Sequence, residues 1–421
     1  MMGRLKNIKE AEFSLVGFYF LKWLFYSSLV GIIVGSLSAF FLISLSFATD
    51  TRLSYPWLLY LLPVGGAAIS WLYWKFGGNA IRGNNLIIQE ARGGIKKEVE
   101  SIPKRLIPLT LFGTLVTHLF GGSAGREGTA VQMGGSVADA IGRMLHLGKN
   151  ERRILLIVGM SAGFSSVFGT PIAGTLFAIE VLAIGYVRQE ALFPSLWAAL
   201  VGNWMTTLWG ASHTHYHMGT IPDADPILIF KILIAAVLFG FTGRLFSWST
   251  RMAKAVMSNW FSNPVIKSFA GGVLIILLVF LVGKRDYLGL SLPLIDQAFL
   301  GESSPLDFLG KLFFTAVTLG SGFQGGEVTP LFTIGATLGS TLAHLFHVSI
   351  PFLAGLGFIG VFSAASNTPV ACFVMGLELF GAGALPYLFL TCVVSYLFSG
   401  NQGIYETQQV YLRKGTLFEE E

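Results

Sequence analysis

The feature that most narrows what this chain can become is the length of its apolar runs. Crossing the hydrocarbon core of a membrane takes roughly 20 helical residues, at about 1.5 Å of rise each. The first run, from Ala11 to Ala48, exceeds that length. It is too long for a signal-peptide core and no A-x-A cleavage site follows it, so it reads as a long, tilted first helix. Trp57 to Trp74, flanked by Lys75, reads as a second span. The later runs are shorter and end in glycine, proline or a charge: Leu106–Phe120, Ile154–Phe164, Pro171–Tyr186, Phe308–Leu319, Val328–Leu345 and Pro369–Leu379. Helices broken at membrane depth are tolerated only where they line a cavity or are buried in protein. In transporters such breaks mark the binding site.

Composition agrees. Of 421 residues 53% are hydrophobic and 12% charged, about half the charge share of a soluble domain. Mean hydropathy is +0.66. The 51 glycines are well above the usual share of about 7%, and they fall largely at the breaks. The two cysteines, Cys372 and Cys392, lie inside apolar runs, which excludes a disulfide scaffold. The net charge of +5 comes from scattered Lys and Arg with no basic stripe, so nucleic acid is excluded as a partner. The lipid bilayer is the expected surrounding.

The chain repeats itself. Gly125-Arg126-Glu127-Gly128-Thr129, followed by Gly135, lines up with Gly325-Gly326-Glu327-Val328-Thr329, followed by Gly335, at an offset of 200. Phe164-Ser165, Thr170 to Ala173 and Glu180 match Phe362-Ser363, Thr368 to Ala371 and Glu378 at an offset of 198. Arg143, Lys149, Arg152 and Arg153 follow the first motif, whereas only His344 and His347 follow the second. By the positive-inside rule the two copies then run in opposite directions. The expected organisation is a cytoplasmic lead over residues 1–12 (carrying Arg4, Lys6 and Lys9) and a first membrane repeat over 13–208. An outer loop over 209–226, a second repeat over 227–405 and a short tail over 406–421 follow. The fold class is an all-α integral membrane protein of two inverted repeats of broken, tilted helices, with its site near the midplane.

The strongest local signal is Gly121 to Gly135, GGSAGREGTAVQMGG. A glycine-rich break before an apolar helix presents unpaired backbone N–H groups at a positive dipole end, an anion site that needs no cationic side chain. Glu127 is itself an anion that can fill such a site, and once protonated it can leave. It would then act as gate and proton carrier together. The alternative is a structural carboxylate capping amides and paired with Arg126.

These blocks resemble those of the CLC family of anion channels and anion/proton antiporters. GREGT followed by VQMGG is similar to that family's GREGP block, GGEVTPL from Gly325 to its G-x-F-x-P block, and Gly403-Ile404-Tyr405 to the end carrying its anion-binding tyrosine. RGNNLIIQE, from Arg82 to Glu90, falls where a GSGIP block is expected. The departures matter too. Asn84 stands at the chloride-binding serine, Thr129 replaces the proline, Val328 replaces the phenylalanine, Glu327 adds an acid, and Val181 sits where proton-coupled chloride members carry an inner glutamate. This combination resembles the fluoride/proton antiporter branch. The resemblance implies a homodimer with one pore per subunit, placed in a bacterial inner membrane, and an anion pathway of Asn84, Gly125, Arg126, Gly128, Thr129, Glu327, Val328, Thr329 and Tyr405 around the gating Glu127.

Fluoride is small and strongly hydrated, so stripping its water requires several good donors. The Asn84 amide, the hydroxyls of Thr129 and Thr329, Tyr405 and helix N-terminal N–H groups could supply them. Asn84 could instead make a local turn bond, Glu327 could be a structural carboxyl bonded to amides, and Tyr405 could sit in an interfacial aromatic belt. A chloride channel or chloride/proton antiporter of the same fold is the alternative function.

Gly121 to Gly125 also fits G-x-S-x-G, the serine-hydrolase elbow, but follows a membrane helix rather than a strand. His213, His215 and His217 alternate in the outer loop and could hold a metal, although a polar loop accounts for them. His118 reads as a packing histidine, and Glu180 and Glu378 as paired structural hydrogen-bond acceptors. No catalytic residue, metal, cofactor or regulatory domain is expected, and the protein is not expected to be an enzyme.

Overall fold

The structure, a computed structural model, describes residues 2–93, 102–214 and 216–415, with the side chains of the first helix described from Val16 onward. The lead's Arg4, Lys6 and Lys9 side chains, His215 and the acidic end at Glu419 to Glu421 lie outside the described residues.

Helix α1 (Met2–Ser54) is continuous from the lead through the first apolar run. A 3-10 turn at Pro56–Leu61 leads into α2 (Leu62–Phe76), and α3 (Asn84–Arg92) follows. The first repeat continues with α4 (Leu106–Leu119), α5 (Glu127–Met144), α6 (Lys149–Phe168), α7 (Pro171–Glu180) and α8 (Leu192–Leu208). After an irregular crossing come α9 (Pro226–Trp260), α10 (Pro264–Val282) and α11 (Leu292–Leu300). Then follow α12 (Asp307–Gly320), α13 (Val328–Phe346), α14 (Ile350–Ser366), α15 (Pro369–Phe380) and α16 (Leu385–Phe398). One two-residue parallel pairing, Ala183–Ile184 with Gln409–Val410, ties the end of α7 to the tail.

Among the described residues, four helical segments are long and apolar enough to span a membrane, starting at Val16, Pro56, Pro226 and Pro264. Four of the six short runs become short helices, α4, α7, α12 and α15, whereas Ile154–Phe164 and Val328–Leu345 lie within α6 and α13, which have 20 and 19 residues. Proline opens several of them, as at Pro171 and Pro369, where its missing N–H is one of the helix's orphan donors in any case.

The inversion follows from contacts. The α4–α5 hairpin opens where the Arg143 guanidinium meets the Ile102 carbonyl at 3.0 Å, beside the 143–153 basic cluster. The α12–α13 hairpin opens where Thr341 Oγ1 reaches the Pro305 carbonyl at 3.3 Å. Helix α6 begins at the basic face, where Lys22 pairs with Glu151, and ends at Gly169 beside His213 of the crossing segment. Helix α14 begins at that far face, where Met218 packs over Gly355 and Pro351 over Gly219. The two helices therefore run in opposite directions.

The repeats grip each other reciprocally. Glu180 accepts from the N–H groups of Val370 (3.1 Å) and Ala371 (2.8 Å), and Glu378 from those of Ile172 (2.9 Å) and Ala173 (2.8 Å). Each carboxylate caps the N-terminus of the other repeat's half-helix. This is the structural role the sequence suggested for the pair.

One expectation needs correcting. Around the central motifs the offset between repeats is 201, not 200. Helices α4, α5 and α6 begin at Leu106, Glu127 and Lys149, and their counterparts at Asp307, Val328 and Ile350. The turn glycines agree, Gly121 at φ 91° and Gly322 at φ 95°. So do the close helix crossings: Gly134 lies on the Gly159 carbonyl, and Gly335 on that of Gly357. Glu127 is thus the counterpart of Val328, and Glu327 that of Arg126. The shared Glu and Thr letters had drawn the alignment one residue out of register. Helix α14 is shorter than α6, 17 residues against 20, which returns the offset to 198 at α7 and α15.

Candidate functional site

After α4 and α12 the chain turns at Gly121 and Gly322, both at a positive φ that glycine adopts without penalty. Each strand then runs to the midline. There Gly125 and Gly326 form an antiparallel bridge, with N–H to carbonyl distances of 2.7 and 2.8 Å. Immediately beyond, α5 and α13 begin, so two helix N-termini meet at the centre of the molecule.

Glu127 opens α5 and is 2% exposed. Its carboxylate reaches across to the other repeat. Oε1 accepts the Val328 N–H at 2.6 Å, and Oε2 accepts the Thr329 hydroxyl at 3.0 Å and its N–H at 3.4 Å. The Arg126 N–H donates to Oε2 at 2.9 Å. Four donors converge, three of them from the first turn of α13, where the helix dipole adds to the attraction. A carboxylate therefore fills an anion site. The space for it exists because its neighbours lack side chains: a Cβ on Gly125 would lie 2.5 Å from Oε2, and one on Gly326 would overlap Oε1.

Toward the basic face lies a cavity of about 190 Å³, lined by Asn84, Gly325, Glu327, Tyr405, Lys254 and Glu406 among others. Asn84 opens α3, and a Cβ on Gly128 would lie 2.9 Å from its amide nitrogen, so Gly128 makes room for that amide. The amide oxygen is buried without a hydrogen-bond partner, which excludes the local turn bond. Glu327 faces the cavity with no hydrogen-bonded amide among the described residues, so it is not the amide-bound structural carboxyl considered above. At the cavity mouth Lys254 pairs with Glu406 at 2.8 Å. Tyr405 is 9% exposed and set edge-on to Phe177, with ring centroids 6.1 Å apart, which places it inside the protein and not in an interfacial belt.

Two expected contributors stand elsewhere. The Thr129 hydroxyl pairs with that of Thr114 on α4 at 2.6 Å, so it is not among the donors to Glu127. Thr129 follows Glu127 by two residues on α5, and the helix turns it onto α4. Arg126 does not pair with Glu127 through its guanidinium; that side chain lies in cavities toward the far face. The other sequence readings fare as follows. His118 is buried, with Nε2 3.3 Å from the Gly125 carbonyl. Val181 closes α7 and is buried, with no carboxyl in its place. Ser123 is buried and preceded by a helix, and its hydroxyl is taken up by Lys311 and Thr315, both at 2.9 Å. No metal-holding cluster of His, Cys, Asp or Glu occurs among the described residues.

Lys311 is the residue that sequence reasoning passed over. It is fully buried on α12, and its ammonium donates to Ser123 Oγ (2.9 Å), Ser291 Oγ (2.9 Å) and the carbonyls of Gly289 (2.7 Å) and Tyr287 (3.2 Å). Its signal was a lone lysine inside the apolar run Phe308–Leu319, and a charge at that depth is a functional candidate by default.

Inverted repeats of broken helices whose N-termini converge on one buried anion site define a membrane protein that handles anions. The chain belongs to the voltage-gated chloride channel family, whose pattern matches residues 65–400. It is 45% identical to a chloride/fluoride channel protein of Pseudomonas syringae pv. tomato, over 97% of this chain and 91% of that one. It is 27% identical to an H(+)/Cl(-) exchange transporter of Vibrio cholerae, covering 85% of this chain and 81% of the relative. Among solved structures it resembles a CLC-type fluoride/proton antiporter with a TM-score of 0.88 and 36% identity, over 93% of this chain and 98% of that one. A slow cyanobacterial Cl-/H+ antiporter shares the fold, with a TM-score of 0.79 at 22% identity over 91% and 96% of the two chains.

Proposed function

We propose that this protein exchanges fluoride for protons and expels cytoplasmic fluoride. The observation that carries the reading is the seat of Glu127: a carboxylate in a four-donor anion site must compete there with any free anion. Fluoride arriving from the basic face passes the cavity of Asn84, Glu327 and Tyr405 and displaces the carboxylate. The displaced Glu127 takes a proton, and a neutral carboxyl no longer competes for helix N-terminal N–H groups. When fluoride leaves toward the far face, Glu127 gives up its proton and returns. Glu327, beside the solvent-open cavity, passes protons between Glu127 and the basic face, so inward proton movement drives fluoride out.

The donor set suits fluoride. Backbone N–H groups and a hydroxyl replace the tight hydration of a small anion, with Thr329 supplying what the sequence also sought in Thr129. The positive-inside rule makes the basic face cytoplasmic, and the bacterial relatives favour a bacterial inner membrane. A homodimer belongs to the same reading, and exposed apolar side chains such as Phe280 and Leu281 on α10 leave surface for lipid and a second copy. Chloride exchange or a channel is the competing reading, favoured by the name of the Pseudomonas relative.

The test is Glu127→Gln in liposomes, with fluoride and pH electrodes read together. Fluoride efflux without proton uptake supports the scheme. Proton movement still coupled to a fluoride gradient would sink it, and a wild type that moves chloride as readily as fluoride would favour the competing reading.

A further inference from the structure

Helix α9 crosses the protein from the far face to the basic face and, near the latter, carries a mixed stripe. Phe241, Arg244, Leu245, Trp248 and Arg251 lie at the spacing of one helical face. Phe241, Leu245 and Trp248 are exposed, Trp248 by 55%. At about 1.5 Å per residue, Arg244 lies about 27 Å along the helix from its start at Pro226. The hydrocarbon core is about 30 Å thick, so Arg244 and Trp248 stand where it gives way to headgroups.

Together with the turn that follows α16, the stripe lines a groove of about 680 Å³. The lining holds Arg244 and Arg251 and, among the described residues, no carboxylate. Arg244 has neither hydrogen bond nor ion pair among the described residues, and Arg251 donates to the Gly403 carbonyl at 2.9 Å. The turn is a donor surface as well. Ser399 is right-handed (φ −82°, ψ −11°) and Gly400 has φ 75°. That succession cups consecutive N–H groups into an anion-binding nest. The N–H groups of Gly400 and Asn401 find no acceptor among the described residues. A Cβ on Gly400 would lie 3.9 Å from the Arg244 Nε, so the arginine lies over the turn. The carbonyl end of α16, which would repel an anion, is covered by Lys414, at 2.7 Å from the Tyr396 carbonyl and 2.8 Å from Ser399 Oγ.

We propose that this groove binds one anionic phospholipid of the leaflet at the basic face. Its phosphodiester lies between Arg244 and the Gly400–Asn401 turn, and its acyl chains run along Leu245 and Phe241. A guanidinium offers a phosphate paired N–H donors. The exposed apolar stripe favours a lipid over a soluble phosphate, and without a carboxylate in the groove the ammonium of a zwitterionic headgroup gains nothing. The turn leads on through Gly403 to Tyr405, so a bound lipid clamps α9 to the segment that carries Tyr405 to the anion cavity.

Two measurements test this. The melting temperature in a nonionic detergent is titrated with phosphatidylglycerol, phosphatidylcholine and inorganic phosphate. Phosphatidylglycerol should stabilise the wild type. Arg244→Gln removes a charge-assisted contact and should raise the half-maximal lipid concentration about tenfold or more, with Arg244→Lys recovering part of the shift. An unchanged half-maximal concentration in Arg244→Gln overturns the proposal, as does equal stabilisation by phosphatidylcholine. Equal stabilisation by inorganic phosphate assigns the site to a soluble anion and overturns the lipid. Independently, the unaltered protein is reconstituted with a phosphatidylglycerol that carries a photoreactive diazirine in its acyl chain. Cross-links concentrated on the 241–248 stretch of α9 support the site, and cross-links no denser there than on the exposed face of α10 overturn it. The cross-linking result stands even if Arg244→Gln fails to fold, and neither result requires fluoride to be the transported ion.

Discussion

Replacing Thr329 by valine removes one hydroxyl from the anion site and keeps the side-chain shape. That hydroxyl donates to Glu127 Oε2 at 3.0 Å, and a fluoride in the same seat would take the same donor. A hydrogen bond to a charged acceptor is worth about 1.5–3 kcal/mol, so fluoride affinity should fall by about 10- to 150-fold. The fall should appear in full only in a Glu127→Gln background, where no carboxylate competes for the seat. With Glu127 present the carboxylate competes with fluoride, both lose the same donor, and the loss caused by Thr329→Val should shrink. Titration calorimetry of purified protein with fluoride in the two backgrounds reads both effects. Thr129→Val is the matched comparison. Its hydroxyl is spent on Thr114, so it should lower stability by about 0.5–1.5 kcal/mol and leave fluoride affinity within about twofold. Equal affinity with and without the Thr329 hydroxyl in the Glu127→Gln background would refute this account of the donor set, as would an equal loss in both backgrounds.

Three further outcomes follow from the geometry. Gly326→Ala places a methyl where Glu127 Oε1 sits, so the carboxylate should be forced out and fluoride-driven proton uptake abolished; coupled uptake at the wild-type rate would show that the carboxylate does not work from this seat. Glu180→Ala and Glu378→Ala each leave two helix N-terminal N–H groups uncapped and should lower stability by about 1–3 kcal/mol, read as a drop in melting temperature in detergent, with the ratio of protons to fluoride intact. Lys311→Met strips four buried oxygens of their shared donor and should destabilise by at least about 3 kcal/mol, visible as loss of the monodisperse peak in size-exclusion chromatography; a variant as stable as wild type would show that the lysine is not what organises the Ser123–Ser291 wall.

What could be read from the sequence, and what could not, divides along a physical line. Half-length runs bounded by Gly and Pro became α4, α7, α12 and α15 because the hydrophobic requirement acts on each segment alone. Glu127 stood out because a carboxylate in apolar sequence needs a reason. Its partners did not, since three of its four donors are backbone N–H groups, which every residue but proline carries. The register slip of one residue has the same origin. Matching letters paired Glu127 with Glu327, whereas the structure pairs positions by backbone turn, Gly121 with Gly322, and so sets Glu127 opposite Val328. Thr129 was misplaced because its direction depends on which face of α5 meets α4.

The mutual caps of Glu180 and Glu378 also set an order of assembly. When the ribosome has finished α7, its first N–H groups have no carboxylate, because theirs is Glu378, which lies 206 residues beyond Ile172. At about 5–20 residues per second that is a wait of roughly 10–40 s, spent half-finished in the bilayer. Glu180 waits nearly as long, 190 residues, for Val370. Neither half can mature first and serve as a template for the other. Both close in one late event, and a chain truncated between them should be treated by the cell as unfolded.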